Sequence, residues 1–371
     1  MNEYINIKVK LKKLIQIIYL KAILLLIFFI YNILNTYKSK KKIGVISLEH
    51  SENIGNNLLK YAIFIKLSEL GFDPYIIGLR YKNHNISFIK NLVKIRIIKK
   101  SFDEIQQKDY DILMVNSDQT WRKRKFFYDI AFLRFAKNWQ IPKFIYGASL
   151  GIDKWKFNKK DEKIAKYLLK NFTGISVREK GSIRLIEEHL GFKTSFVLDP
   201  TLLINKNYYL NLIYNYKNDV DINNNYIFIY TLTNSMTLNK FIKKITEIKN
   251  YRIYLINIKM KNSIEKFIYG IYKCKAVVTD SFHGTIFSLI FNKPFISFNY
   301  KKRGNERFNS LKEVFNLGNR IVAHDSTPDI NLLEIPLNIN KNLLNSLKKK
   351  SIFFLKKNLN HKKNKFLNYL Y

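Results

Sequence analysis

Short apolar, β-branched runs alternate along this chain with longer runs whose apolar residues recur every three or four positions, and polar turns separate the two kinds. Such alternation predicts an α/β fold in which buried parallel strands are covered by helices. The first half reads as strands near 42–48, 72–78, 111–115, 144–147, 174–177 and 195–198, with helices over 57–71, 162–171 and up to residue 190. After the Asn- and Lys-rich run 208–225 the pattern starts again, with strands at 226–231, 251–256, 276–279 and 294–298 and helices between them. Residues 42–215 and 216–335 are therefore expected to be separate domains.

The two ends depart from this rhythm. Residues 14–34 form the most hydrophobic stretch, interrupted by Gln16, Lys21 and Asn32 and flanked by lysines on both sides. Symmetrical flanking charge favours a helix lying on or dipping into the inner membrane face over one that spans it, with packing on the protein as the alternative. Segment 1–41 is thus read as membrane-associating. Residues 336–371 are Lys-rich with spaced apolar positions, which predicts a packing helix with a solvated face rather than a second membrane contact.

Composition changes this picture little. The net charge of +37 comes mostly from lysine in a chain equally rich in Ile, Asn and Tyr, and no nucleic-acid motif accompanies it, so nucleic acid is not expected as a partner. Cys274 is the only cysteine, which excludes an intrachain disulfide and fits a buried thiol in a reducing compartment. Neither HExxH nor CxxC occurs, and no metal is expected.

Candidate chemistry clusters where strands end. The stretch KAVVTDSFHGTIFSLIF (275–291) places Asp280, Ser281, His283, Gly284 and Thr285 between a strand and a helix, a turn whose backbone N–H groups and helix dipole suit an anion. Gly284 is expected to admit that anion closely, and the alternative is that Asp280 and Ser281 only cap the helix. Asn53, Gly55 and Asn56 follow the first strand, where doubly wound folds bind ligands, but GxGxxG is absent and a dinucleotide is not indicated. Ser117, Asp118 and Gln119 follow the third strand, and Ser149 the fourth. GASLG matches a nucleophile elbow, with Asp199 and His283 downstream in hydrolase order, although no helix follows at once. Arg178 ends a strand, either as a fork for a carboxylate or phosphate or in a structural ion pair, and Arg307 lies in a later polar loop.

Together NIGNNLLKYA (53–62), NSDQTW (116–121), YGASLG (146–151), SVREKG (176–181), VLDPTLL (197–203) and TDSFHGTIFSLIFNKPFI (279–296) resemble the polysaccharide pyruvyl transferase family, in the family's order and over residues 43 to about 320. The resemblance implies two Rossmann-like domains in a glycosyltransferase-B-like arrangement with the site in the interdomain cleft. It implies transfer of a pyruvyl group from phosphoenolpyruvate, with no other cofactor, to two hydroxyls of a sugar in a surface glycan or its lipid-linked precursor. His283 would carry a proton, while Arg178, Arg307 and the helix start at Ser281 to Thr285 would hold the carboxylate and phosphate. The catalytic domains would be cytoplasmic, attached to the inner face of the plasma membrane through residues 14–34. A nucleotide-sugar glycosyltransferase on the same architecture and a membrane-bound scaffold are the alternatives. Glu49, His50 and Glu52, and Ile54 where the family carries an aromatic, depart from the pattern and bear on the acceptor.

Overall fold

The computed structural model describes residues 19, 20, 23, 26, 40–48, 53–79, 91–123, 125–151, 153–216, 225–233, 235–249, 251–257, 263–300 and 304–361. It divides into Met1–Lys41 and Lys42–Tyr371. In the first unit Tyr19, Leu20, Ile23 and Leu26 are helical and exposed, and the rest of segment 14–34, on which the membrane reading depends, lies outside the described residues. Among the described residues no helix is long and apolar enough to cross a membrane.

The second unit contains two parallel sheets. Strands β1 (Lys42–Ile46), β2 (Asp73–Leu79), β3 (Ile95–Ile98), β4 (Ile112–Val115), β5 (Lys143–Ala148), β6 (Gly174–Val177) and β7 (Ser195–Phe196) form the first, in the order β3-β2-β1-β4-β5-β6-β7. Its connections are α1 (Ile54–Glu69), α2 (Phe127–Phe132), α3 (Lys159–Leu169) and α4 (Lys180–Leu190), and α5 (Lys206–Asn211) leads out of it. The central strands read as unbroken apolar runs because both faces are covered: every residue of β4 and β5 is buried. One face packs against α2, α3 and α4, the other against α1.

The second sheet has the order β12-β11-β10-β8-β9, from β8 (Tyr226–Thr231), β9 (Arg252–Asn257), β10 (Ala276–Thr279), β11 (Phe295–Asn299) and β12 (Ile321–Ala323). Helices α6 (Met236–Lys249), α7 (Ile264–Lys273), α8 (Phe282–Ile290) and α9 (Asn305–Val314) complete it. The architecture is thus α/β with two Rossmann-like domains and a cleft between them, as the resemblance implies. The short elements β3, β12 and α2 are absent from the pattern-based reading, since runs of three to six residues give no periodicity to count.

The last helix, α10 (Lys341–Leu359), is not a separate tail. It crosses back onto the first sheet, where Phe354 packs edge-on against Phe144 with ring centroids 6.4 Å apart and Ser351 Oγ accepts the Leu198 N–H at 2.9 Å. Farther along, the Thr173 hydroxyl donates to Asn358 Oδ1 at 2.8 Å. Phe354, Leu355 and Leu359 are buried there, at about 1.5–3 kcal/mol of hydrophobic stabilisation each.

Candidate active site

In each sheet the strand order reverses about one central pair, β1 and β4 in the first and β8 and β10 in the second. Open parallel sheets bind ligands beyond the carboxyl ends of such pairs. Here the two crevices share one cleft of about 270 Å³, lined by Asn53 and Asn56 after β1, Asp118, Gln119 and Arg122 after β4, Leu232 after β8, and Asp280 to His283 after β10. Leu48, Arg307 and Phe308 complete the wall, which is mostly polar.

Two helices begin at this cleft. Asn53 caps α1, its side-chain oxygen accepting the Asn56 N–H at 3.1 Å, and Ser281 caps α8 by accepting the Gly284 N–H at 3.3 Å. Because α8 starts at Phe282, three residues earlier than the apolar run suggests, His283 sits in its first turn rather than in a loop. The first-turn N–H groups and the dipole ends of both helices favour an anion between them.

His283 is held from several sides. Its ring packs edge-on with Phe282, and its Nε2 stands 3.8 Å from Asp199 Oδ2, buried and without a hydrogen bond among the described residues. A Cβ on Gly55 would lie 2.2 Å from His283 Nδ1, so the glycine after Ile54 exists to seat the imidazole, not to admit a ligand. Gly284 has a similar internal reason: a Cβ there would meet Thr279 Oγ1 at 2.4 Å, and its role is to let α8 press onto β10, not to open room for an anion.

Behind His283 runs a buried chain of charge. Arg178 donates through Nη2 to Asp118 Oδ1 at 2.8 Å and through Nη1 to Asp199 Oδ2, and its side chain is only 1% exposed. Asp199 Oδ1 accepts in turn from the backbone N–H and the hydroxyl of Thr201. Arg178 is therefore not an open fork for substrate, because its terminal nitrogens are already committed to two carboxylates. Arg307 is placed differently: it lines the cleft, with Nη1 4.0 Å from Asp118 Oδ1, and its guanidinium and that of Arg178 lie 5.0 and 4.8 Å from the centre of the Phe282 ring. Asp118 itself is fixed at φ 95, a conformation costing about 1–3 kcal/mol, and its carbonyl is held by the N–H groups of Thr120 and Ser149.

These surroundings set the protonation states. Burial pushes the His283 imidazole down to about 4 against the pull of Asp199, which makes it neutral near pH 7 and a proton acceptor. Burial works to raise the Asp118 carboxyl, but Arg178 and Arg307 outweigh it and keep it below the usual carboxylate range. Beneath the cleft, burial pushes the Lys60 ammonium of α1 down to about 8, with Asp118 opposing.

Several expected contacts lie outside the cleft. Ser117 donates to the Gly147 carbonyl at 2.7 Å, and Thr285 donates to the Ser281 carbonyl at 3.1 Å and pairs with Ser297, so both hydroxyls brace strand ends. The Ser149 hydroxyl donates to the buried Glu179 carboxylate, and among the described residues no helix follows it until Lys159. That rules out a nucleophile elbow, although the Asp199 and His283 members of the hydrolase order do meet. Asp280 lines the cleft but does not cap α8; its carboxylate accepts the N–H groups of Leu232 at 2.6 Å and Thr233 at 2.9 Å, tying β8 to β10. The pattern-based reading left out Phe282, Arg122 and Lys60, and it weighed Asp199 only as a member of the hydrolase order. Asp199 carried the same signal as the others, an acidic residue at a strand's carboxyl end, but its Asp-Pro step reads first as a turn.

Cys274 is buried and its thiol is pushed up to about 12 by that burial, which leaves it unreactive. Among the described residues no group of three or more His, Cys, Asp or Glu is placed to hold a metal ion.

Residues 53–302, more than half of the chain, match the family model described as polysaccharide pyruvyl transferase. No curated protein matches the sequence. Among solved structures, the UDP-GlcNAc 2-epimerase from Methanocaldococcus jannaschii is similar at 15% identity and TM-score 0.48, covering 87% of this chain and 94% of that one. HepE from Anabaena, solved with UDP and glucose, is similar at 12% identity and TM-score 0.47, covering 86% and 91%.

Proposed function

The chain belongs to the polysaccharide pyruvyl transferase family, a family of transferases in polysaccharide biosynthesis, and on that premise we propose that it transfers a pyruvyl group from phosphoenolpyruvate to two hydroxyls of one sugar. The acceptor is a surface glycan or its lipid-linked precursor, and the products are a cyclic ketal and inorganic phosphate. The observation that carries this reading is the place of His283 in the first turn of α8, lining a small polar cleft together with Arg307. A small dianion fits a site made of two helix starts and a guanidinium.

The reaction needs a proton on the enol methylene carbon, attack of one sugar hydroxyl on the adjacent carbon, and displacement of phosphate by the second hydroxyl. One hydroxyl proton ends in the new methyl group and the other on phosphate. His283, neutral in the resting cleft, takes the proton of the attacking hydroxyl; a bound dianion then raises its basicity and stabilises the imidazolium. Asp199, 3.8 Å behind Nε2, balances that positive charge. Arg307 and the first-turn N–H groups of α8 hold the leaving phosphate. Phosphoenolpyruvate is a cytoplasmic metabolite, so this reading has the reaction run on the cytoplasmic side of the plasma membrane.

The test is incubation of the purified full chain with phosphoenolpyruvate and a panel of lipid-linked saccharides, following phosphate release and the mass of the glycan. Phosphate release coupled to gain of one pyruvyl ketal supports the proposal. Consumption of a nucleotide-sugar with phosphoenolpyruvate untouched would overturn it in favour of a glycosyltransferase.

A further inference from the structure

Phe353 is 69% exposed, the one exposed phenylalanine among the described residues. It lies on the outer side of α10, whose inner side is buried on the first sheet through Phe354, Leu355, Asn358 and Leu359. On a helix the nearest surface neighbours of a residue are those three and four positions away. For Phe353 these are Lys349, Lys350, Lys356 and Lys357, and all four are exposed. No Asp or Glu follows Glu334 in the chain, so nothing on the helix neutralises them.

Packing alone explains the inner side of this helix but not an unburied aromatic ring encircled by four ammonium groups. From this arrangement we propose, against the expectation of a merely solvated face, that the outer face of α10 docks on an anionic bilayer surface, the lysines meeting lipid phosphates while the Phe353 ring enters the headgroup boundary. Lysines at a membrane surface each contribute, and an aromatic among them adds an apolar contact that charge alone does not give. The face is a single convex helix without arginine, whereas single-stranded nucleic acid is bound in basic grooves and arginine predominates in phosphate-fork recognition. No residue of α10 lines the catalytic cleft, so the contact is separate from it.

Because residues 14–34 of the same chain are themselves apolar, the test reads position 353 directly. Cys274 is buried, so a Phe353→Cys variant of the full chain can be labelled selectively with an environment-sensitive fluorophore. Adding phosphatidylcholine vesicles containing phosphatidylglycerol should shift the emission to the blue, and pure phosphatidylcholine should not. Lys349→Glu, Lys350→Glu, Lys356→Glu and Lys357→Glu together should weaken the vesicle affinity read from this response by about three orders of magnitude at physiological salt. Changing Lys160, Lys163, Lys166 and Lys170 to Glu, on exposed positions of and just after α3 on the other face of the same sheet, should leave it unchanged. An emission unmoved by anionic vesicles would overturn the proposal. So would an equal loss in the α3 variant, or a shift produced by single-stranded RNA but not by vesicles.

Discussion

The imidazole of His283 rests on Gly55, so close that a Cβ there would come within 2.2 Å of Nδ1. The two residues belong to helices that follow strands of different sheets, and their contact joins the start of α1 to the start of α8. Replacing Gly55 by Ala must displace the ring, and a displacement of about 1 Å costs on the order of 100-fold in rate. The expected result is a loss of that size in kcat with a folded protein by circular dichroism. Unchanged turnover would show that the position of the ring does not matter.

Burial of His283 has a signature in pH. Its value falls from 6.5 to about 4 on folding, so the folded state resists protonation while the unfolded state accepts it. Stability should be unaffected above pH 6.5 and fall by about 3 kcal/mol between pH 6.5 and 4. Urea unfolding of the native chain and of His283→Gln checks this, because the variant should lack that part of the loss. In kcat/KM the acid limb due to His283 should lie near 4, not near 6.5.

The arginines should behave differently from one another. Arg178→Ala strands the Asp118 and Asp199 carboxylates in the interior and should cost about 3–5 kcal/mol of stability, read by denaturant titration. Arg307→Ala removes a group that faces the cleft and should weaken phosphoenolpyruvate binding by about 1.5–3 kcal/mol with a smaller effect on folding. Calorimetric titration of both variants separates the roles, and equal loss of binding in both would contradict the assignment of Arg178 as an internal brace.

Lys60 carries a second pH signature. Since its folded value lies near 8 and its ordinary value is 10.5, the protein should gain about 3 kcal/mol of stability as pH rises from 8 to 10.5. Lys60→Met should be flat over that window. A native chain that shows no such rise would mean that the ammonium is solvated in solution.

Much of this fold was legible because a strand buried on both faces leaves a continuous apolar run, as in Ile112–Val115 and Ala276–Thr279, and the polar residues just beyond mark the ligand edge. Which of those polar residues turn inward was not legible. An arginine at a strand end looks the same whether it is open to solvent or gripped by Asp118 and Asp199, far away in sequence. Glycines were misread for the same reason: Gly55 and Gly284 serve contacts with His283 and Thr279 that no local pattern records. The destination of α10 was equally hidden, since an amphipathic helix states that it has a partner but not which one.

The return of α10 to the first sheet orders events during synthesis. The surface around Phe144 and Tyr146 stays uncovered until the residues from Lys341 onward leave the ribosome, long after Phe196 has completed the sheet itself. At roughly 5–20 residues per second this interval is on the order of ten seconds. The nascent first domain therefore shows the part of this apolar face that α1 leaves to α10 throughout translation of the second, and its closure waits for α10.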